Sequence, residues 1–546
     1  MKKARWRRLE TFWGDGPYSS ESELPAASTA RGCSDLDDHA HMVTYLPSNS
    51  STPRQSAHLR RHSGAEAWKS LSPWGRCQAY KRVMLVMVYS THPRTLRPWV
   101  SPTPVIGPMA PPPPPESDHA IADPVRQTAF RLGLVLIFLR FSMLHQTLAH
   151  IIHIDLHLLY VVGIPVLIGV LAAGGIQRAF RCRPTYYWVG FALWLVISLP
   201  FSAWKGGSAH WIAGYFRAEF IMLFVTGGLA ITWRECKLMM YAISWGGAIS
   251  LLTSKLFEQD SGGRVGLDFG TVNNPNDFAC HLLLLLPFLL WIILASRSYI
   301  LRFASLAGVS FGVYLILASG SRGAALGFAA ATVCYLLLGT VRQRITVLVA
   351  APILLAILLP VLPQRSWNRL QSLWSNDNAT AEDTMASSES RKYLFDTGVR
   401  FAIEHPVFGI GQGQFANYEG KHGTVVGGIR GQYQEAHNTY LAAASECGMP
   451  ALLLYLAGIL STFRLLNAVY RQARRRPECH DIRVATFCIM VALTGFCMAI
   501  TFTNFTYFFY LPAMAGLAVS VFSAAQVEFR SRGGSVPPHD GSGPYH

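Results

Sequence analysis

Long apolar runs recur from Phe130 to Phe522 and are almost absent before that. A hydrocarbon core about 30 Å thick is crossed by about 20 apolar residues in helical form. The runs predict twelve such spans, at 129–149, 158–176, 185–201, 211–231, 238–256, 275–295, 303–319, 323–340, 345–362, 438–462, 485–503 and 507–525. Together they predict an all-α, polytopic membrane domain over residues 126–526. Residues 1–120 are polar, rich in Pro, Ser and Arg, and end in Pro111–Pro115. Their one apolar run, Val83–Val88, is too short to cross a membrane, and the segment has too little apolar surface to offset the entropy of ordering. It is expected to be a disordered tail, with Met109 as an alternative translation start. A second disordered tail is expected over 527–546.

The loops sort by charge. Arg178, Arg181 and Arg183 follow the second run, Arg234 and Lys237 the fourth, Arg297 and Arg302 the sixth, and Arg342 and Arg344 the eighth. Arg464, Arg471, Arg474, Arg475, Arg476 and Arg483 lie around the tenth connection, and Arg530 and Arg532 follow the twelfth run. Every basic loop therefore follows an even-numbered span. Basic loops stay in the cytoplasm, which places both termini inside. The odd-numbered loops face the opposite side and include the segment 363–437. That segment is far longer than a turn, and its pattern suggests short helices such as Glu389–Glu404.

Composition agrees: 51% of the 546 residues are hydrophobic and only 14% are charged, against about 25% in soluble domains. The net charge of +16 does not point to nucleic acid, because most of it sits in short loops between apolar runs. The ten cysteines show no CxxC pair or metal-ligand spacing and read as reduced or buried thiols.

Charged groups near a membrane face are costly unless they pair or function. Five stand out on the side opposite the basic loops: Arg217, Arg264, Arg322, Arg391 and His437. Guanidinium groups match phosphate oxygens with a planar fork of donors, and a histidine can take a proton from an attacking hydroxyl. The set suits transfer of a group from a diphosphate carrier. Each residue also has a plainer reading. Arg217 could pair with Glu219, Arg264 could be a loop charge, Arg322 could cap a turn, and Arg391 could sit on a solvated helix face. His437 could be held by structural hydrogen bonds. Glu446 reads as a polar packing contact. The membrane-proximal loops lack the paired acidic residues that a divalent cation would want. His145, His150, His153 and His157 are spaced too irregularly for a metal site.

The order Ser319-Gly320-Ser321-Arg322-Gly323-Ala324, Ser390-Arg391, His405-Pro406-Val407-Phe408-Gly409-Ile410-Gly411 with Gly413 and Phe415, Ala436-His437-Asn438-Thr439-Tyr440-Leu441 and Glu446-Cys447-Gly448 resembles the O-antigen ligase/O-antigen polymerase family. The motif-bearing part covers about residues 305–455. The resemblance implies a GT-C-like fold of roughly twelve helices with a large periplasmic loop, here 363–437, in the bacterial inner membrane. It implies a metal-independent glycosyltransferase without a cofactor. Its donor would be an undecaprenyl-diphosphate-linked glycan, and its acceptor lipid A-core, a growing polysaccharide or a protein. By motif, His437 corresponds to the base, and Arg322 and Arg391 to the residues that hold the diphosphate. Arg217, Arg264 and Asn438 are added as candidate substrate contacts from topology and position. A polymerase uses the same donor chemistry and is the main alternative. A transporter of lipid-linked sugars is the second, but it would carry its ionisable residues near mid-membrane. One departure stands out: Asp277 follows Asn274-Pro275-Asn276, where a simpler Pro-Asn pair is expected.

Overall fold

The protein is seen in a computed structural model that describes residues 122–257, 259–260, 264–267, 269–371, 381–426, 429–431 and 433–533. The expected N-terminal tail and Met109 lie outside the described residues. The described chain is built from helices: α1 Pro124–Ser142, α2 Leu144–Ile152, α3 Leu158–Ala172, α4 Gly175–Ala179, α5 Arg183–Ser198, α6 Lys205–Gly214, α7 Ile221–Gly228, α8 Trp233–Leu256 and α9 Pro275–Ala295. They continue with α10 Tyr299–Ala318, α11 Arg322–Leu338, α12 Val341–Leu358, α13 Gln364–Gln371, α14 Ala381–Glu404, α15 Phe415–His422, α16 Thr439–Arg474, α17 His480–Ala499 and α18 Tyr510–Gly533. Two antiparallel hairpins, Gln259–Asp260 with Val265–Gly266 and Val425–Val426 with Ile429–Arg430, are the strands among the described residues.

Helix occupies each of the twelve predicted stretches, with informative differences. Among the described residues, seven helices are long and apolar enough to cross a membrane, or eight if α1 and α2, bent by 68° at Met143, form one span. The predicted span 211–231 is instead α6, a π-turn over Tyr215–Glu219, and α7. A π-turn inserts one residue into the helical ladder and rotates everything after it. The last helix runs on to Gly533, into the stretch expected to be a tail. Helices α9, α17 and α18 are mostly buried, whereas no residue of the α12 window is. Such an apolar, outward-facing helix is what a lipid surround permits. This is a polytopic, all-α membrane protein.

Long-range hydrogen bonds gather the basic loops at one end of the bundle. Arg126 donates to the Leu229 carbonyl (3.0 Å) and to Glu235 (2.7 Å), which also closes a capping box with Thr232. Arg178 donates to the Gly228 carbonyl (2.7 Å), Trp233 Nε1 to Asp481 (2.5 Å), and Arg532 to Asp481 (3.3 Å). The segment 363–437 lies at the other end. It holds α13, α14 and α15, one helix more extensively formed than the predicted Glu389–Glu404.

That segment is fastened to the bundle where α16 is broken. Gly448 interrupts the helix with φ of 84°. The break frees backbone groups that the stretch His405–Phe415 then satisfies: Ile410 N–H donates to the Ser445 carbonyl (2.9 Å), Gly411 N–H to the Glu446 carbonyl (2.9 Å), and Met449 N–H to the Pro406 carbonyl (2.8 Å). A Cβ on Gly448 would stand 2.0 Å from the Val407 carbonyl oxygen. Gly448→Ala is therefore expected to destabilise the protein by at least ~1–3 kcal/mol, the range for a strained left-handed residue. A lowered melting temperature in detergent, with loosened proteolytic protection of 405–415, is the check.

Candidate functional site

Three helices begin together at the end away from the basic loops. Asn274 caps α9, its side chain accepting from Asn276 N–H (2.8 Å), with Pro275 in the first helical position. Ser321 caps α11 by accepting from Ala324 N–H (3.3 Å), and Asn438 caps α16 by accepting from Leu441 N–H (3.0 Å). The three starts are tied to one another. Arg264 donates from Nε to the Ser319 carbonyl (2.8 Å) and from a terminal nitrogen to Asn276 Oδ1 (2.9 Å), joining the turn that leads from α10 into α11 to the start of α9. Thr503 donates to Asp277 on α9, and Thr439 at the start of α16 donates to the Thr503 carbonyl (2.8 Å). Helix N-termini expose unsatisfied N–H groups and the positive ends of their dipoles, which favours an anion.

Side-chain charge reinforces this. Burial and the neighbouring guanidinium groups of Arg369, Arg391, Arg365 and Arg322 push the Arg264 guanidinium down to about 10. Burial, then Arg322 and Arg369, lowers Arg391 as well, with Asp277 opposing. Five arginines thus crowd one place. The turn before α11 sets their spacing. Gly320 takes φ of 60°, and Ser366 on α13 donates to the Ala318 carbonyl (2.5 Å), which lays α13 with Arg365 and Arg369 against the turn. A Cβ on Gly320 would lie 3.3 Å from Ser366 Cα. Among the described residues neither Arg322 nor Arg391 makes a hydrogen bond or ion pair, so both guanidinium forks remain available to a ligand.

His437 stands beside Arg391. It too makes no hydrogen bond among the described residues, and its backbone has φ of 45° just before the α16 cap. Burial, then the positive charge of Arg391, depresses its imidazole to about 4. It is therefore neutral near pH 7 and has a lone pair for a proton.

The sequence singled out other residues that the structure uses differently. Arg217, in the π-turn, is exposed and lies over the Tyr160 ring at 5.8 Å, apart from the five-arginine group. Its suggested partner Glu219 pairs instead with Arg140, which also covers the Phe509 ring at 4.3 Å. Asn438 serves as a helix cap through its carbonyl oxygen. Glu446 is buried and accepts from Tyr507 (2.6 Å), Gly413 N–H (2.9 Å) and Phe415 N–H (3.0 Å), so it clamps the glycine-rich stretch. His150 stacks on Phe269 at 4.3 Å. Among the described residues no three His, Cys, Asp or Glu side chains are arranged to hold a metal ion. Reading the sequence missed Arg365, Arg369 and the role of Asp277, which sits between Arg391 and Thr503.

The fold and this site describe a membrane protein with five arginines gathered beside three helix starts. Residues 306–456 match the family model described as O-antigen ligase. The match takes in Arg322, Arg391, His437 and the whole of 405–448. Comparison with curated proteins gives no significant match.

Proposed function

We propose that the protein transfers a glycan from an undecaprenyl-diphosphate carrier to a hydroxyl of lipid A-core or of a growing glycan, on the periplasmic side of the inner membrane. The observation that carries this reading is the convergence of five arginines and three helix N-termini beside a neutral histidine. In the reaction the acceptor oxygen attacks the anomeric carbon of the donor sugar. The bond from that carbon to the phosphate oxygen breaks, and the diphosphate leaves with the electron pair. His437 takes the acceptor's proton, while Arg322 and Arg391 neutralise the departing diphosphate. Arg264 holds the α9 and α11 starts in register around it. No step here calls for a metal ion, and transfer is expected to survive EDTA.

Charge couples donor binding to the base. Without donor, burial and, after it, the charge of Arg391 keep the His437 imidazole at about 4. A bound diphosphate offsets the Arg391 charge and raises it, so the base strengthens when the donor is in place. The sign follows: His437 is active when unprotonated, and a depressed value keeps it so down to low pH. The acidic limb of kcat/KM, which reports the free enzyme, is therefore expected near pH 4 rather than near ~6.5, and the limb of kcat at higher pH. A pH–rate profile with both limbs near 6.5 would count against the coupling.

Orientation is testable independently. Lys421→Cys, exposed on α15, should react with a membrane-impermeant thiol reagent added to intact spheroplasts, above the background of the ten native cysteines. Arg474→Cys, exposed at the end of α16, should react only after permeabilisation. The reverse pattern would put the arginine site in the cytoplasm and remove the periplasmic reading. Ligation and polymerisation separate by product: one glycan on lipid A-core, or a lengthened glycan still on its lipid.

A further inference from the structure

The stretch 403–411 reaches into the depth of two spans. Phe408 stacks on Phe201 with ring centroids 3.8 Å apart and on Trp194 at 5.7 Å, nearly parallel to both. Phe201 ends the span Arg183–Phe201, and Trp194 lies two turns further in. The same stretch runs beside the break in α16 at Gly448. About 20 helical residues cross the hydrocarbon. That length, counted back from Arg464, the first exposed arginine on the basic half of α16, reaches past Met449. The break therefore falls within the hydrocarbon thickness. Non-helical backbone is tolerated there only where protein satisfies its polar groups. Here the Ser445 and Glu446 carbonyls accept from Ile410 and Gly411, and the Cys447 carbonyl accepts from Trp194 Nε1 (2.9 Å).

The outer side of this stretch is apolar. Val407 is 48% exposed, and Ile403, one turn before it at the end of α14, is 73% exposed. Phe408 links them to Phe201, and the Pro406–Met449 hydrogen bond links them to Met449; both of those side chains are exposed too. From there the exposed apolar faces of α5, with Leu193 and Ile197, and of α16, with Leu453 and Leu460, continue toward the basic end. The patch is thus continuous with the surface that two membrane spans turn outward. The ionisable groups on the corner are engaged by protein: Glu404 pairs with Arg400 (3.9 Å), and His405 is bonded to the Tyr418 hydroxyl (3.1 Å).

We propose that the corner 403–408 is seated in the bilayer leaflet on the arginine side, with Ile403 and Val407 against its acyl chains and Trp194, Phe201 and Phe408 as an aromatic anchor at its boundary. Continuity with the outward faces of α5 and α16 selects lipid as the occupant. Removing the apolar side chains from water stabilises the seat, and aromatic rings of this kind favour the membrane–water boundary. The seat holds the C-terminal end of α14, the helix that carries Arg391, so the membrane itself sets the height of the arginine site. The proposal requires a chain that spans a membrane and nothing of the chemistry at His437.

The test labels Val407→Cys and Ile403→Cys, each in the full-length protein, with an environment-sensitive NBD thiol reagent. Labelled wild type supplies the background of the native cysteines. Each protein is placed at one copy per nanodisc in phosphatidylcholine free of polyprenyl lipid. NBD at 403 and 407 should emit to the blue of NBD on Lys421→Cys, lose its quenching by aqueous iodide, and be quenched by phospholipids carrying a nitroxide in the acyl chain. Lys421→Cys, exposed on α15, should show the reverse. A detergent melting curve matched to wild type identifies the variants that fold, and either reporter alone is sufficient. Iodide quenching at 403 and 407 equal to that at 421, or no response to the nitroxide chains, overturns the proposal. So does shielding that needs two copies per disc, which gives the face to a second copy of this chain. Shielding that appears only on adding undecaprenyl phosphate overturns it as well, by giving the face to a carrier's tail.

Discussion

Arg391→Ala is expected to lose at least 10²-fold in glycan transfer and to weaken donor binding, while Arg322→Lys, which keeps its charge, remains severely impaired. The magnitude follows from losing one preorganised donor to a developing negative charge, typically 10²–10³-fold. Arg391 makes no protein hydrogen bond among the described residues, so nothing in the fold depends on its guanidinium directly. Its charge meets the diphosphate in the bound ground state as well as on departure, so KM rises along with the fall in kcat. Arg322 sits at the first position of α11, where a lysine places its charge but not a planar fork across two phosphate oxygens. Steady-state kinetics with a defined lipid-linked donor, alongside a detergent melting curve, separates these losses from misfolding. Wild-type transfer in inserted Arg391→Ala protein would remove the arginine group from the mechanism.

The second large effect is at His437. A positioned general base contributes 10²–10⁴-fold, and His437→Ala is expected to lose that factor in kcat. Donor binding should persist, because removing a neutral imidazole leaves all five arginines in place. His405 and His422 are poor substitutes. His405 is bonded to the Tyr418 hydroxyl (3.1 Å), and His422 is exposed and stacked on the Tyr418 ring at 4.1 Å. Neither touches the arginine group. A kcat unchanged in His437→Ala would reassign the base.

How much of this was legible beforehand differs by residue. Spans such as Pro275–Ala295 and Tyr299–Ala318 were, because an apolar run of that length in a helix has few alternatives. Arg264, Arg322, Arg391 and His437 were legible as charges stranded at membrane ends, and the first three do converge. What local pattern could not show was long-range pairing. Arg365 and Arg369 lie in a polar stretch, Gln364–Gln371, that reads as solvated until Ser366 is seen bonded to the Ala318 carbonyl. Glu219 looked like a partner for nearby Arg217, yet it pairs with Arg140, 79 residues away in sequence. The π-turn carries Arg217 outward toward Tyr160, and nothing in Tyr215–Glu219 announces a π-turn rather than an α-helical one. The Glu446–Gly448 pair shows the opposite case. The motif was visible, but its purpose, a broken helix that receives the stretch 405–415, is visible only in three dimensions.

The site is proposed to break a sugar–diphosphate bond and pass the sugar to a hydroxyl. The most direct measurement gives purified protein in EDTA a synthetic undecaprenyl-diphosphate-linked oligosaccharide, with and without lipid A-core, and follows undecaprenyl diphosphate and glycan product together. Equimolar release and transfer are expected in wild type, both falling at least 10²-fold in Arg391→Ala and His437→Ala. Intact donor in wild type with either acceptor present, or transfer that appears only on adding a divalent metal, would contradict it.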